Sequence, residues 1–431
     1  MLNKKLRDEI TALVKREVVP AVGCTEPVAV ALCVAKAKEV LGTVPHSVEV
    51  RLSANVLKNA MGVGIPGTGM IGLPIAIALG AIVGRSEDGL EVLGRVTPED
   101  VEAGKRFIDQ GRISISLAEN APSVLHIEVK MSDDEGNEAE AVISRTHTGF
   151  VLVKRGGEII FEEDRCGGEE VASNNESDCR LDMATVVEYA LTSPLSEIEF
   201  ILDARKLNLA AAECALEGNY GHSLGSSIRS GLGLRLFGDS PLEHIISFTS
   251  AACDARMGGA KIPVMSNSGS GNQGICATMP VVSYARDCGA TEEQTARALM
   301  MSHLTSIYIK QSLGRLSALC GCVVASTGAS AGLTYLLGGN YEEICAAVKN
   351  MIANLTGMIC DGAKPSCSLK ISSGVSTALM SAMLAMNGKC VTEAEGIISD
   401  DVDISIRNLT SIGREAMRET DRLVLEIMTG K

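Results

Sequence analysis

The chain has 431 residues, 46% of them hydrophobic and 21% charged, with a formal net charge of −14 and no tryptophan. That length supports two or three domains around a large core. The negative charge argues against nucleic acid or an anionic membrane as partner, because neither supplies cations to meet it.

The opening run MLNKKLRDEITALVKREVV reads as an amphipathic helix ending near Val19, with charges throughout and no signal-peptide core. Residues 20–27 (PAVGCTEP) form a turn into an Ala/Val-rich helix over 28–41. The longest apolar run, 70–84, is too short to cross a bilayer, which takes roughly 20 residues, and reads as a buried helix. β-Branched, alternating stretches at 47–52, 112–117, 125–131, 141–147 and 150–154 predict an antiparallel or mixed sheet. Among them Thr97 and Pro98 signal a helix start. Hairpin turns are expected at 133–137 and at Gly156-Gly157.

After about residue 175 helical periodicity takes over, with helices expected over 181–191, 196–209, 241–252, 291–317, 329–337, 341–355, 375–386 and 402–428. The polar run 162–178 marks the boundary. The expectation is therefore an α+β fold: N-terminal helices over 1–44 packing on the catalytic domain, an α+β domain over 45–175, and a large C-terminal all-α catalytic domain over 176–431. With aromatics at 3% and Gly, Ala and Met plentiful, helices must meet through small side chains. Such a surface also suits a homodimer. Fourteen cysteines without secretory features point to a reducing cytoplasm, where cysteines pack or bind metal.

Three of them carry the chemistry: Cys320 in SALCGC, and Cys360 and Cys367 in MICDGAKPSC, all in short turns at helix ends. Spacings of 40 and 7 match neither ferredoxin nor zinc motifs, and spacing alone favours small core residues. Three thiolates would suit an iron–sulfur cluster with one iron open to substrate; Cys322 competes as a ligand. Cys24 stands before a helix that Thr25 could cap, where amides and the helix dipole would stabilise a thiolate. The adjacent Glu26 would raise the thiol pKa and is itself a candidate base. The run SNSGSGNQG (266–274) reads as a carboxylate cradle built from Ser266, Asn267, Ser268 and Asn272, with Arg256 or Lys261 in support, or as a plain flexible loop. The six histidines are scattered, His303 being of note on the helix leading to Cys320. No phosphate-loop, dinucleotide or serine-hydrolase motif occurs.

Six ordered blocks give a more specific reading: GCTEP (23–27), PGTGMIGLP (66–74), DARMGG (254–259), SNSGSGNQG (266–274), RLSALC (315–320) and MICDGAKPSC (358–367). Together they resemble the L-cysteine desulfidase family, relatives of the α-chain of iron–sulfur L-serine dehydratases. The resemblance implies a [4Fe-4S] cluster and conversion of L-cysteine to pyruvate, ammonia and hydrogen sulfide without pyridoxal phosphate. It implies Cys320, Cys360 and Cys367 as cluster ligands, Cys24 as proton acceptor and Cys322 as a bystander. Dehydration of L-serine is the nearest alternative. A non-catalytic iron–sulfur sensor using Cys322 as fourth ligand is another.

Overall fold

The computed structural model describes residues 2–163, 179–314 and 317–430. Most of the expected boundary run at 162–178, and Arg315 and Leu316 of the RLSALC block, lie outside them.

The chain opens with α1 (Lys4–Glu17), capped by Asn3, whose side chain accepts from the Leu6 N–H at 3.0 Å. A short strand β1 (Pro20–Val22) leads to α2 (Thr25–Leu41), three residues longer at its start than the sequence suggests. Then come β2 (Ser47–Leu52), α3 (Ala54–Ala60), α4 (Leu73–Ile82) and α5 (Pro98–Asp109), the last held by the Thr97 capping box. Strands β3 (Ile113–Leu117), β4 (His126–Ser132), β5 (Glu138–Ser144), β6 (Phe150–Arg155) and β7 (Glu158–Glu162) complete the region. The sheet is mixed, in the order β3-β2-β4-β5-β6-β7, with β2 and β3 parallel and the other pairs antiparallel. Its inward residues (Val48, Val50, Leu52, Ile127, Val129) share one core with α2 and α4. Those two helices touch at backbone distance: a Cβ on Gly80 would meet the Ala31 carbonyl at 2.6 Å.

The second body is helical: α6 (Met183–Thr192), α7 (Leu195–Ile198), α8 (Leu202–Glu217), α9 (Leu224–Ile228), α10 (Gly231–Phe237), α11 (Pro241–Met257), α12 (Gly271–Asp287), α13 (Glu292–Leu313), α14 (Gly321–Leu336), α15 (Tyr341–Leu355), α16 (Cys367–Met386), α17 (Val402–Ser411) and α18 (Arg418–Thr429). One strand, β8 (Pro263–Met265), lies between α11 and α12 and pairs antiparallel with β1. The N-terminal arm thus joins both bodies. Residues of α1 belong to the helical core and residues of α2 to the sheet core, and β1 crosses between them. This α+β architecture is the expected one.

The sequence reading misses α12 altogether, because Ser, Gly and Asn crowd its start. Ser270 caps it by accepting from the Gln273 N–H at 3.3 Å. It starts α14 and α16 eight residues late, because small residues there lower helix propensity. Packing overrides that preference: a Cβ on Gly328 would lie 2.3 Å from the Ser302 carbonyl on α13. The expected helix over 402–428 is broken by a π-turn at 412–416. By length and composition α16 could cross a membrane, but its Ile371, Val375, Ala378 and Ala382 lie buried in the helical core.

Candidate functional site

The β1–α2 turn is built to present Cys24. Gly23 has φ +64°, and a Cβ there would press to 2.8 Å from Pro66 Cγ, so the turn packs tightly against the PGTG loop. Cys24 is the N-cap of α2 without making a side-chain cap bond; Thr25, expected as cap, is the first helical residue. The Cys24 thiol is 4% exposed and donates to Glu26 Oε2 at 2.9 Å. Glu26 is held from two further sides: Asn59 Nδ2 donates to Oε1 at 3.1 Å, and Thr25 Oγ1 to Oε2 at 3.3 Å. Burial, and next the charge of Glu26, push the thiol well above its ordinary pKa, while Arg256 opposes them. The expected thiolate is therefore a thiol here, because desolvation and an adjacent carboxylate outweigh the helix dipole. Glu26 stands where it can take that proton.

Arg256, near the end of α11, ties the turn to the helical body. Its Nη2 donates to the Gly23 carbonyl at 3.0 Å and its Nη1 to Asn272 Oδ1 at 2.9 Å. Gly271 lies flat against the guanidinium, since a Cβ there would be 2.2 Å from Nε. The buried Nε itself has no hydrogen-bond partner. Next to Asn272, Gln273 is 3% exposed, its Oε1 also lacks a partner, and its Cγ would be 3.0 Å from a Cβ on Gly321, which follows Cys320. Two orphaned buried groups, one donor and one acceptor, thus stand between the dyad turn and the start of α14. Leaving such groups unpaired costs about 1–3 kcal/mol each, which a polar ligand recovers.

The cysteine trio converges on the same core. A backbone bridge joins Leu319 to Ile359; the Cys320 N–H donates to the Met358 carbonyl at 3.0 Å and the Cys360 N–H to Ala318 at 2.7 Å. Cys320 caps α14, and Cys367 is the first residue of α16. Cys320 is pushed well above its ordinary pKa by burial, then by the charges of Cys322, Cys360 and Cys367; Cys367 is raised by burial and by Cys360. The thiols are thus near enough for the charge of one to act on another. Lys370 reinforces the site: its Nζ donates to the Ile359 carbonyl at 2.9 Å and pairs with Asp361, and Cys320 and Cys360 help to raise its pKa. Asp361 also pairs with Lys364; burial opposes its ionisation, but the two lysines hold it down to about 2. Two helix starts and a nearby ammonium suit an anionic group held by these thiols, as an iron–sulfur cluster is.

Cys322 lies near enough to act on Cys320, but its sulfur is engaged by contacts of its own. Its thiol donates to the Lys370 carbonyl at 3.2 Å, and a Cβ on Gly374 would lie 2.5 Å from the sulfur. It fills the α14–α16 contact beside Cys276 and Cys253.

The cradle residues divide. Asn272 reaches Arg256, as above. Ser266 donates from Oγ to the Val19 carbonyl at 2.6 Å, Asn267 binds His303, and Ser268 donates to Asn267 Oδ1 at 2.9 Å, so these three knit the loop to β1 and the core. Lys261 points elsewhere, donating to the Val96 carbonyl at 3.0 Å and packing over Gly67. His303 is a satisfied core residue between Asn267 and Thr278, pushed down to about 3 by burial. Asn59, Gln273 and Lys370 are not among the residues the sequence singles out, although Gln273 falls inside the SNSGSGNQG block.

A profile of the serine dehydratase alpha chain family matches residues 87–426. The chain belongs to that family. Within it, a UPF0597 protein of Bacteroides fragilis is 61% identical over 425 residues, covering 99% of this chain and 98% of its own length. UPF0597 proteins of Phocaeicola vulgatus and Aeromonas hydrophila are 59% and 45% identical over 432 and 423 residues, with 99% and 96% of their lengths covered.

Proposed function

We propose that the chain is an iron–sulfur-dependent lyase that eliminates hydrogen sulfide from L-cysteine to give pyruvate and ammonia. Cys320, Cys360 and Cys367 would hold a [4Fe-4S] cluster. When bound, that group supplies an open, thiophilic iron able to act as a Lewis acid on the leaving sulfur. No pyridoxal phosphate enters this scheme.

The remaining chemistry belongs to the protein's own side chains. Arg256 receives the substrate carboxylate through its free Nε–H, with Asn272 and the Gly23 carbonyl fixing the guanidinium plane. Gln273 Oε1 is the buried acceptor left for the ammonium group. Cys24 passes its thiol proton to Glu26 Oε2 and, as thiolate, takes the Cα proton. The Cα–H electron pair forms the Cα–Cβ double bond while the Cβ–S bond breaks, and the departing sulfide takes up the proton left on Glu26, so that it leaves as hydrogen sulfide and the dyad returns to its starting state. The released 2-aminoacrylate tautomerises to an imine, and one water hydrolyses it, so cysteine plus water gives pyruvate, ammonia and hydrogen sulfide. Burial keeps bulk water from quenching the thiolate.

The observation that carries the reading is the Cys24–Glu26 contact at 2.9 Å, in a turn that Arg256 ties to the helical body holding the thiol trio. L-Serine, eliminating water by the same steps, is the second reading, favoured by the description of the family. Anaerobic, cluster-loaded protein should release equal amounts of pyruvate and sulfide from L-cysteine. The ratio of kcat/KM for the two amino acids, measured in competition, separates the readings. Iron-replete protein that releases pyruvate from neither would overturn both. A small amino-acid substrate, a cytoplasmic setting and a homodimer complete the proposal.

A further inference from the structure

The end of α11 opposite Arg256 gathers another set of ligand-type atoms. Asp239, Glu243 and His244 each offer one, and these atoms all lie within 4.8 Å of one another. His244 Nε2 is 2.8 Å from Asp239 Oδ1 and 3.5 Å from Glu243 Oε2. The other ring nitrogen, Nδ1, is 2.9 Å from Asp287 Oδ2 at the end of α12. Both ring nitrogens are hydrogen-bonded to carboxylates, and although burial opposes it, Asp287 and Asp239 raise the ring's pKa, so a dication at Nε2 takes the place of a proton there while Nδ1–H stays on Asp287. Metal-binding imidazoles are held in this way, with a carboxylate behind the ring fixing tautomer and orientation.

Glu243 supplies an independent observation. Its side chain is 0% exposed, and its Oε1 has no hydrogen-bond partner. Oε2 has Arg229 Nη1 at 3.4 Å, a long contact for a guanidinium that also stacks on Phe248. A buried carboxylate with one oxygen lacking any donor is costly, and a cation bound by that carboxylate offsets the cost. Charge points the same way. Asp239, Glu243 and Asp287 bring three negative charges, against Arg229 and Arg286, whose Nε is 4.0 Å from Asp287 Oδ1. With a neutral imidazole the group keeps a net negative charge. That charge also offsets the positive end of the α11 dipole, which by itself would repel a cation.

We propose that His244 Nε2 and the carboxylates of Asp239 and Glu243 form a binding site for a zinc-class dication, with Asp287 orienting the ring. One imidazole and two carboxylates are a nitrogen–oxygen set suited to Zn²⁺, and Asp239, 83% exposed, leaves a side open for water to complete the shell. The site lies about 20 Å along α11 from Arg256, at about 1.5 Å per residue. It therefore clips the α10–α11 turn to the end of α12 and takes no part in the elimination.

The test is metal analysis of anaerobic, cluster-loaded protein equilibrated with Zn²⁺ and dialysed. Wild type should retain one zinc per chain beyond its iron; H244A and E243Q should lose it with iron content and lyase turnover unchanged. Asp287→Asn should weaken zinc retention about 10–100-fold while leaving all three ligands in place. Should H244A or E243Q fail to fold, Asp239→Asn, an exposed change, reads the same loss. Zinc retained equally by wild type and D239N, or by neither, would overturn the site and leave His244 as an imidazolium held by carboxylates. Loss of turnover in D239N together with zinc would overturn the purely structural role.

Discussion

Replacing Glu26 with Gln separates charge from shape at the dyad. The Gln side-chain oxygen can still accept from Asn59 Nδ2, which reaches Glu26 Oε1 at 3.1 Å, so the side chain keeps its anchor. What changes is the atom facing Cys24: an amide nitrogen replaces the carboxylate oxygen that now accepts from Sγ at 2.9 Å. Without that acceptor the thiol proton has nowhere to go, and a positioned acid or base contributes about 10²–10⁴ in rate. At about 1.36 kcal/mol per factor of ten, this is about 3–5 kcal/mol on the barrier. Substrate affinity should change little, because Arg256 is held by Gly23 and Asn272, neither of which Glu26 touches. Asn59→Ala is the control for shape: it removes one bond to a charged group, about 1.5–3 kcal/mol, and keeps the carboxylate. The assay is anaerobic pyruvate release by cluster-loaded protein, with kcat and KM resolved. A Glu26→Gln protein that keeps more than a tenth of wild-type kcat would refute the transfer of the Cys24 proton to Glu26.

Three other outcomes follow from the geometry. Cys322→Ser should keep iron content and turnover close to wild type, since that sulfur is occupied by Lys370 and Gly374, whereas Ser at Cys320, Cys360 or Cys367 should lose the cluster; iron loss in C322S would make it a ligand. Asp421→Ala strips the partner from Lys58, whose side chain is only 4% exposed where α18 meets α3, and should cost about 3–5 kcal/mol in denaturant unfolding; a change below about 1 kcal/mol would mean that water reaches Lys58. In metal-free protein, burial raises the thiols of Cys33 and Cys345, the latter to about 11. The folded state therefore keeps protons that the unfolded chain releases above about pH 8.5. Their stabilisation is complete below that pH and declines as pH rises toward the folded values, so the melting temperature should fall over that range, less steeply in Cys33→Ala. A flat profile from pH 8 to 10 would contradict this.

The sheet was readable because its period-two pattern coincides with one buried face, and β2 falls where the alternation places it. Helices α14 and α16 were truncated in the reading because Gly, Ser and Cys at their starts look like loop. Those residues are small so that α13, α14 and α16 can approach closely, a demand that only the folded neighbours reveal. The same holds for α12, hidden behind a Gly/Ser/Asn run whose Gly271 exists to admit Arg256. At the site, residue chemistry singled out Cys24 and Glu26, but the order of proton affinity depended on burial, which no local pattern encodes. Gln273 lies inside a block that drew notice for its other residues, and Lys370 lies outside every block; the contacts that give both their roles appear only in the fold.

The pairing of β1 with β8 has a consequence for how the molecule is made. Pro20 pairs with Met265, so the arm that carries Cys24 emerges from the ribosome long before its partner strand. At about 5–20 residues per second, that partner follows roughly 12–50 s later. Closing so long a loop costs about 5 kcal/mol, growing as the logarithm of its length. The arm contributes Ile10, Leu13, Val14 and Cys24 to the same core as the helical body that carries the thiol trio, so that core is completed only when the two ends of this long loop meet. The turn that carries Cys24 is thus the part of the site whose assembly waits longest on the rest of the chain.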